Sequence, residues 1–263
     1  MTSSELKKHG AYKFEGFIDT QTVFSVNREL DQIFLKNNFG SIVIDHSLSR
    51  LIQPSRLVSI NLLELALKVY HAIFDSDDQY LINGVSVNQE LNNPEQLPWH
   101  TDSRRAEIKA QIYLTGGAEN SGGFQYLNGS HMLELSGKHH IDSEFIHRNT
   151  DSILNLSGSP GDLIVFDAYG IHNKLKCLNV RRTIMFNFLP RSFVNETSVD
   201  LNSCCLTKKV IDNLSLFIPS TFDPTASDRR FPENFKNLQV GPKNSLIFGL
   251  KQLLWNLKVR FQR

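Results

Sequence analysis

The apolar positions change period along the chain. Near the start they fall at Val23, Val26, Leu30, Ile33 and Phe34, three to four apart. That spacing predicts a helix capped by Asp19-Thr20 and ended by Asn37-Asn38-Phe39-Gly40. A second helix is expected after Pro54-Ser55, through Leu57, Leu62, Leu65, Ala66, Val69, Tyr70 and Ile73, with a polar stop near Asp75-Ser76-Asp77-Asp78. The pattern then turns extended. Short segments at 80–87, 106–115, 124–127, 163–166 and 181–189 are punctuated by Gly116-Gly117, Gly122-Gly123, Gly161-Asp162 and Pro190. Short strands with glycine-rich turns predict a sandwich or barrel and not a βαβ repeat.

Past Pro190, a helix is expected within 202–218, a long loop over 219–243, and a final helix over 244–263. That last helix carries Leu246, Phe248, Leu250, Leu253, Leu254 and Leu257 beside Lys251, Lys258, Arg260 and Arg263. Packing on the core or a partner is its default role; a membrane surface is the alternative.

Composition narrows the classes. The 263 residues include 28 Lys+Arg and 27 Asp+Glu, with 40% hydrophobic residues and 18 Phe. Such a chain can bury a large core and is too apolar for a disordered tail. A net charge of +1 offers no field to draw in a nucleic acid. No apolar run reaches the roughly 18–20 residues that span a bilayer. The opening Met1-Thr2-Ser3-Ser4-Glu5-Leu6-Lys7-Lys8 lacks the apolar core of a secretory signal. Cys177, Cys204 and Cys205 form neither a disulfide framework nor a CxxC site, so a reducing, cytoplasmic setting is expected.

The chemistry-bearing stretch is Trp99-His100-Thr101-Asp102. On a strand, His100 and Asp102 share a face, because side chains alternate. An imidazole and a carboxylate on one face are two ligands for a divalent metal. His172, just beyond the apolar segment 161–167, is a candidate third. Two histidines and one carboxylate are the facial triad of non-haem Fe(II) oxygenases, which leaves open positions on the metal. Alone, His-x-Asp is a weak signal. Its context is ordered, however. Gly122-Gly123-Phe124-Gln125-Tyr126-Leu127 runs into Asn128-Gly129-Ser130-His131, Gly161-Asp162 opens a buried strand, and Arg181-Arg182 follow His172. An arginine fork is a natural partner for a carboxylate.

In these motifs, over 85–189, the chain resembles the phytanoyl-CoA dioxygenase-like branch of the Fe(II)/2-oxoglutarate oxygenases. It departs at Asn128, where that family commonly has Pro before Gly-Ser-His. The resemblance implies a mainly β fold, a double-stranded β-helix (jelly roll, cupin-like) with flanking N- and C-terminal helices. It implies one domain over 1–263, with the jelly-roll core at 80–190 and flanks at 1–79 and 191–263. It further implies Fe(II) on His100, Asp102 and His172, 2-oxoglutarate and O₂ as cosubstrates, and an arginine on the distal carboxylate. The implied reaction takes a C–H bond of a small molecule to C–OH, with release of succinate and CO₂.

Alternation chooses the arginine. Arg181, Thr183, Met185 and Asn187 share a mixed polar face that suits a pocket, whereas Arg182, Ile184, Phe186 and Phe188 share a face that suits helix packing. Arg181 is therefore the candidate for the cosubstrate, with Thr183 beside it. On the preceding strand Lys109, Gln111, Tyr113 and Thr115 face one way, which makes Lys109 and Tyr113 further candidates for the cosubstrate or substrate. Asn88 and Gln89 are weaker candidates, and Arg104 and Arg105 are either anion contacts at the mouth or solvated charges. His131 is expected to shape its turn. His139, His140 and His147 fall in a polar loop, and His9, His46 and His71 have no companion ligands. Two other classes compete: a cupin-like metal enzyme without 2-oxoglutarate, which leaves Arg181 unexplained, and a non-catalytic jelly-roll binding protein, which leaves the triad unexplained. A halogenase is disfavoured, because that chemistry needs the carboxylate ligand absent and Asp102 is present.

Overall fold

Strict alternation along one long strand organises the molecule. In β8 (Cys177–Pro190), Ile184, Phe186 and Phe188 are fully buried on one face, while Arg181 and Thr183 lie on the other. The structure is a computed structural model that describes residues 3–36, 57–75, 80–93, 97–102, 107–116, 121–133, 141–193 and 207–217. β8 lies between β2 (Tyr80–Asn93) and β3 (Ile108–Tyr113). β6 (Leu163–Asp167) and β1 (Ala11–Phe14) complete a five-stranded antiparallel sheet of order β1-β6-β3-β8-β2.

A second antiparallel sheet has the order β5-β4-β7, from β5 (Ile153–Asn155), β4 (Phe124–Leu127) and β7 (His172–Lys174). Tyr113, Ile164 and Phe166 of the large sheet pack with Phe124 and Tyr126 of the small one. The outer face of the large sheet carries α2 (Thr20–Lys36) and α3 (Leu62–Ile73). Val23, Val26, Leu30, Leu62, Leu63 and Ala66 form one core with Ile112, Val165, Ile184 and Phe186. This is a jelly roll with its helices on one side, the fold class expected from the sequence.

Local chemistry sets the element ends. Asp19 Oδ1 accepts the Thr22 N–H at 2.8 Å, and Asn61 Oδ1 accepts those of Leu63 and Glu64 at 3.0 and 3.1 Å, so both helices begin on capping side chains. Asp162 ties the N-terminal segment to the start of β6. Its carboxylate accepts the Gly16 and Ser159 N–H groups, each at 2.8 Å. The Gly161-Asp162 motif thus anchors chain entry and stays away from the metal ligands.

Several elements differ from expectation. β2 and β8 are longer, at 14 residues each. α1 (Ser3–His9), β1, β5, β7 and α4 (Ser143–Arg148) were not expected, and His147 lies in α4 where a polar loop was expected. Pieces of three to seven residues are too short to show a period, and capping and tertiary pairing create them. Of the helix expected within 202–218, the described residues 207–217 show the single turn α5 (Lys208–Ile211) and a 3₁₀ turn. The loop over 219–243 and the helix over 244–263 lie outside the described residues, as do His46, Arg104, Arg105, His139, His140, Cys204 and Cys205. Met1–Ser220 forms one compact unit. Among the described residues no helix is long and apolar enough to cross a membrane.

Candidate metal and cosubstrate site

His172 opens β7, directly opposite Tyr126 of β4. Its ring lies among Phe124, Phe166 and Tyr126, with centroids at 5.4, 5.1 and 6.4 Å, and only 3% of the residue is exposed. His100 reaches it by a single bridge. The His100 N–H donates to the His172 carbonyl at 3.0 Å, and the His172 N–H returns the bond at 2.9 Å. Residues directly opposite in such a pair point the same way, and the two rings lie 4.5 Å apart. Asp102 follows on a bend, its N–H on the Ala168 carbonyl at 3.0 Å. The expected strand through His100–Asp102 is therefore one bridge and a bend, yet the shared face is kept, because 97–102 runs against 168–174.

One ligand atom from each of His100, Asp102 and His172 lies within 4.8 Å of the others. His100 Nε2 is 3.3 Å from Asp102 Oδ1, and His172 Nε2 is 3.4 Å from Asp102 Oδ2. The far nitrogens settle the tautomers. His100 Nδ1 sits 2.7 Å from the Pro98 carbonyl and His172 Nδ1 2.9 Å from the Gly170 carbonyl. A carbonyl can only accept, so each Nδ1 carries the hydrogen and each neutral ring turns its Nε2 lone pair inward. Two lone pairs and a carboxylate then converge, an arrangement that calls for a cation between them. Burial by itself would push the His100 imidazolium pKa down, but the Asp102 carboxylate outweighs this and raises it. Burial would push the Asp102 carboxyl up, and Lys109, with both histidines, holds it well below the usual carboxylate range. The donor set fits Fe(II).

Lys109 donates to Asp102 Oδ2 at 2.8 Å. Its amine therefore holds the candidate ligand carboxylate, a closer tie to the His100–Asp102–His172 group than the contact expected for it. Gln111, two residues along the same face of β3, accepts from Arg181 Nη2 at 3.0 Å. The Tyr113 ring lies beneath the same guanidinium at 5.9 Å. Arg181 is 8% exposed, and its Nε is buried with no hydrogen-bond partner; the same holds for Thr183 Oγ1, which is fully buried. The Arg181 side chain also presses on Gly122. A Cβ there would stand 2.4 Å from Arg181 Cδ, and φ is +73°, so glycine is required on both counts.

Arg182 faces the other way. It bonds Asp31, Asn27 and Gln89, tying α2 to the sheet. Gln89 therefore belongs to the helix side and not to the pocket. Asn88 registers with Thr183, on the pocket side. His131 hydrogen-bonds the Lys7 carbonyl at 3.1 Å and holds α1 to its turn, outside the metal group. Ser130 Oγ, in that same turn, accepts the Ile171 N–H at 2.8 Å and so braces the approach to His172. His9 bonds Asn128, while His71 and His147 are exposed. Two site-lining groups were missed from sequence, Glu90 and Lys174. Glu90 is 5% exposed and bonds Lys174 Nζ through both oxygens. Single charges 84 residues apart carry no pairing signal in sequence.

No protein-family model matches the chain, and no curated protein matches it by sequence. Solved structures do. HygX from Streptomyces hygroscopicus, with nickel and 2-oxoglutarate bound, aligns at TM-score 0.54 and 15% identity, over 73% of this chain and 88% of that one. EctD from S. alaskensis, with bound Fe, aligns at 0.54 and 14%, over 72% and 76%. SnoK, a non-haem alpha-ketoglutarate-dependent carbocyclase from nogalamycin biosynthesis, aligns at 0.51 and 13%, over 72% and 83%. What this chain shares with these three proteins is their fold.

Proposed function

We propose that the protein is an Fe(II)- and 2-oxoglutarate-dependent oxygenase of the phytanoyl-CoA dioxygenase-like kind, acting as one domain on a small molecule in the cytoplasm. One juxtaposition on β3 carries the reading. Lys109 touches a metal-ligand carboxylate, and Gln111, one alternation step away, touches the buried Arg181. That step is about 6.6 Å along a strand, on the scale of a five-carbon diacid. His100, Asp102 and His172 would hold the iron. Arg181 would hold the distal carboxylate, with Thr183 and Tyr113 beside it, and the orphaned Arg181 Nε and Thr183 Oγ1 would gain partners.

Bound iron would supply the O₂ chemistry, with 2-oxoglutarate converted to succinate and CO₂ and a substrate C–H to C–OH. The chain's own part is to orient and protect. The Pro98 and Gly170 carbonyls fix the two imidazoles, Lys109 fixes Asp102, and Phe124 and Phe166 keep water from His172. A metal enzyme without the cosubstrate is favoured by one feature only, the Glu90 carboxylate 4.0 Å from Arg181 Nη1. The unpartnered Arg181 Nε weighs against it.

The two arginines separate the readings. Arg181→Ala is expected to weaken 2-oxoglutarate binding about 100-fold with metal affinity retained, since a charge-assisted fork is lost. Arg182→Ala is expected to lower thermal stability and leave the 2-oxoglutarate Kd within about threefold, because Asn27, Asp31 and Gln89, which it bonds, lie on the helix side of the sheet. Calorimetric titration of the Ni(II)-loaded variants measures both. Loss of binding in Arg182→Ala alone would move the cosubstrate to the other face of the sheet.

A further inference from the structure

Glu90 and Lys174 cross between the two sheets at the Arg181 end of the barrel. Glu90 stands on β2 opposite Arg181 in register, and Lys174 closes β7. Side-chain exposures are 6% for Glu90, 15% for Lys174 and 10% for Arg181, so all three charges share one poorly solvated space. Both Glu90 oxygens bond Lys174 Nζ, and the same carboxylate lies 4.0 Å from Arg181 Nη1. Gln111, which bonds Arg181 Nη2, is neutral. Within the cluster two positive charges therefore face one negative charge.

We propose that Glu90 and Lys174 form a charge-setting pair that fixes how strongly Arg181 attracts an anion, and so tunes the affinity of this site for a dicarboxylate cosubstrate. The inference rests on the oxygenase reading. Lys174 occupies Glu90, which stops that carboxylate from closing on Arg181 as an internal substitute for the cosubstrate. Glu90 in turn masks Lys174, so the surplus positive charge of these three residues falls on Arg181. A buried ion pair of this kind is costly as a stabiliser, and setting the local charge is a role that such cost can serve. At these separations and in a poorly solvated site, one added or removed charge changes anion affinity by about tenfold or more.

The pair makes opposite single-variant predictions. Lys174→Met removes one positive charge and leaves the Glu90 carboxylate to offset Arg181, so 2-oxoglutarate should bind at least about tenfold more weakly. Glu90→Gln unmasks Lys174 beside Arg181, so 2-oxoglutarate should bind about tenfold more tightly. The double variant restores a net charge of +1 and should bind within about threefold of wild type. Titration of 2-oxoglutarate into each Ni(II)-loaded protein reads these values, and the Ni(II) affinity of each variant reports whether its fold and triad are intact. If both single variants weaken binding and the double is worse than either, the pair is only structural and the inference is overturned. The oxygenase reading then stands, because wild type still binds. If wild type itself takes no 2-oxoglutarate while it binds Ni(II), both fall. Should Lys174→Met not fold, the tighter binding of Glu90→Gln and its reversal in the double variant still decide.

Discussion

Asp102→Ala is expected to lower affinity for a divalent metal by well over about 100-fold, since loss of an outer-shell partner alone costs about 10–100-fold and here a proposed ligand itself is removed. The carboxylate is the centre of the site. His100 Nε2 and His172 Nε2 approach its two oxygens at 3.3 and 3.4 Å, and Lys109 reaches it at 2.8 Å. Without it, two imidazoles and an ammonium remain, a set with too little negative charge for a hard divalent ion. Titration with Co(II), followed by visible absorption, gives the dissociation constants. His71→Ala, at an exposed position on α3, is the control and should bind as wild type does. Equal affinity in Asp102→Ala and wild type would mean that the metal lies elsewhere.

Gly170→Ala should be nearly as damaging, although residue 170 has no side chain that could reach a metal. A Cβ there would sit 1.7 Å from Tyr126 Oη and 2.3 Å from its Cζ. Tyr126 cannot yield easily: its ring is fully buried, and its hydroxyl donates to the Asp167 carbonyl at 3.2 Å. The backbone must move instead, and the Gly170 carbonyl is what His172 Nδ1 bonds. Overpacking of this kind costs about 3 kcal/mol, or roughly 6–12 °C in Tm for a domain of this size. Metal affinity should fall with it, by about tenfold or more, as the His172 ring loses its orientation. In a Tyr126→Ala background the steric conflict is gone, so adding Gly170→Ala should cost less than about 1 kcal/mol more. Thermal melts and Co(II) titration of the four proteins test this; an additive result would place the role of Gly170 elsewhere than against Tyr126.

Much of the site was legible in sequence because its chemistry is local. His100 and Asp102 are two residues apart, Arg181 and Thr183 alternate on one strand, and the apolar face at Ile184, Phe186 and Phe188 named the helix side. Burial of Arg182 against Asp31 and Asn27 follows the same alternation. What sequence did not show depends on distant partners. The Lys109 amine reaches back to Asp102, a contact that requires β3 to lie beneath the bend at 102. Gln89 and Asn88 looked alike, and only pairing with Arg182 and Thr183 sends them to opposite faces. The Glu90–Lys174 pair joins two sheets. Gly170, in the stretch before His172, gave no sign that an aromatic ring would lie against it.

The most direct test of the central claim is optical. Under anaerobic conditions, wild-type protein with Fe(II) should develop a weak visible charge-transfer band when 2-oxoglutarate is added, from chelation of the metal by the keto acid. The band should be absent in His100→Ala and Asp102→Ala, and on admission of O₂ the wild type should release succinate slowly even without a substrate. A wild-type protein that binds Fe(II) yet shows neither band nor succinate would contradict the oxygenase reading.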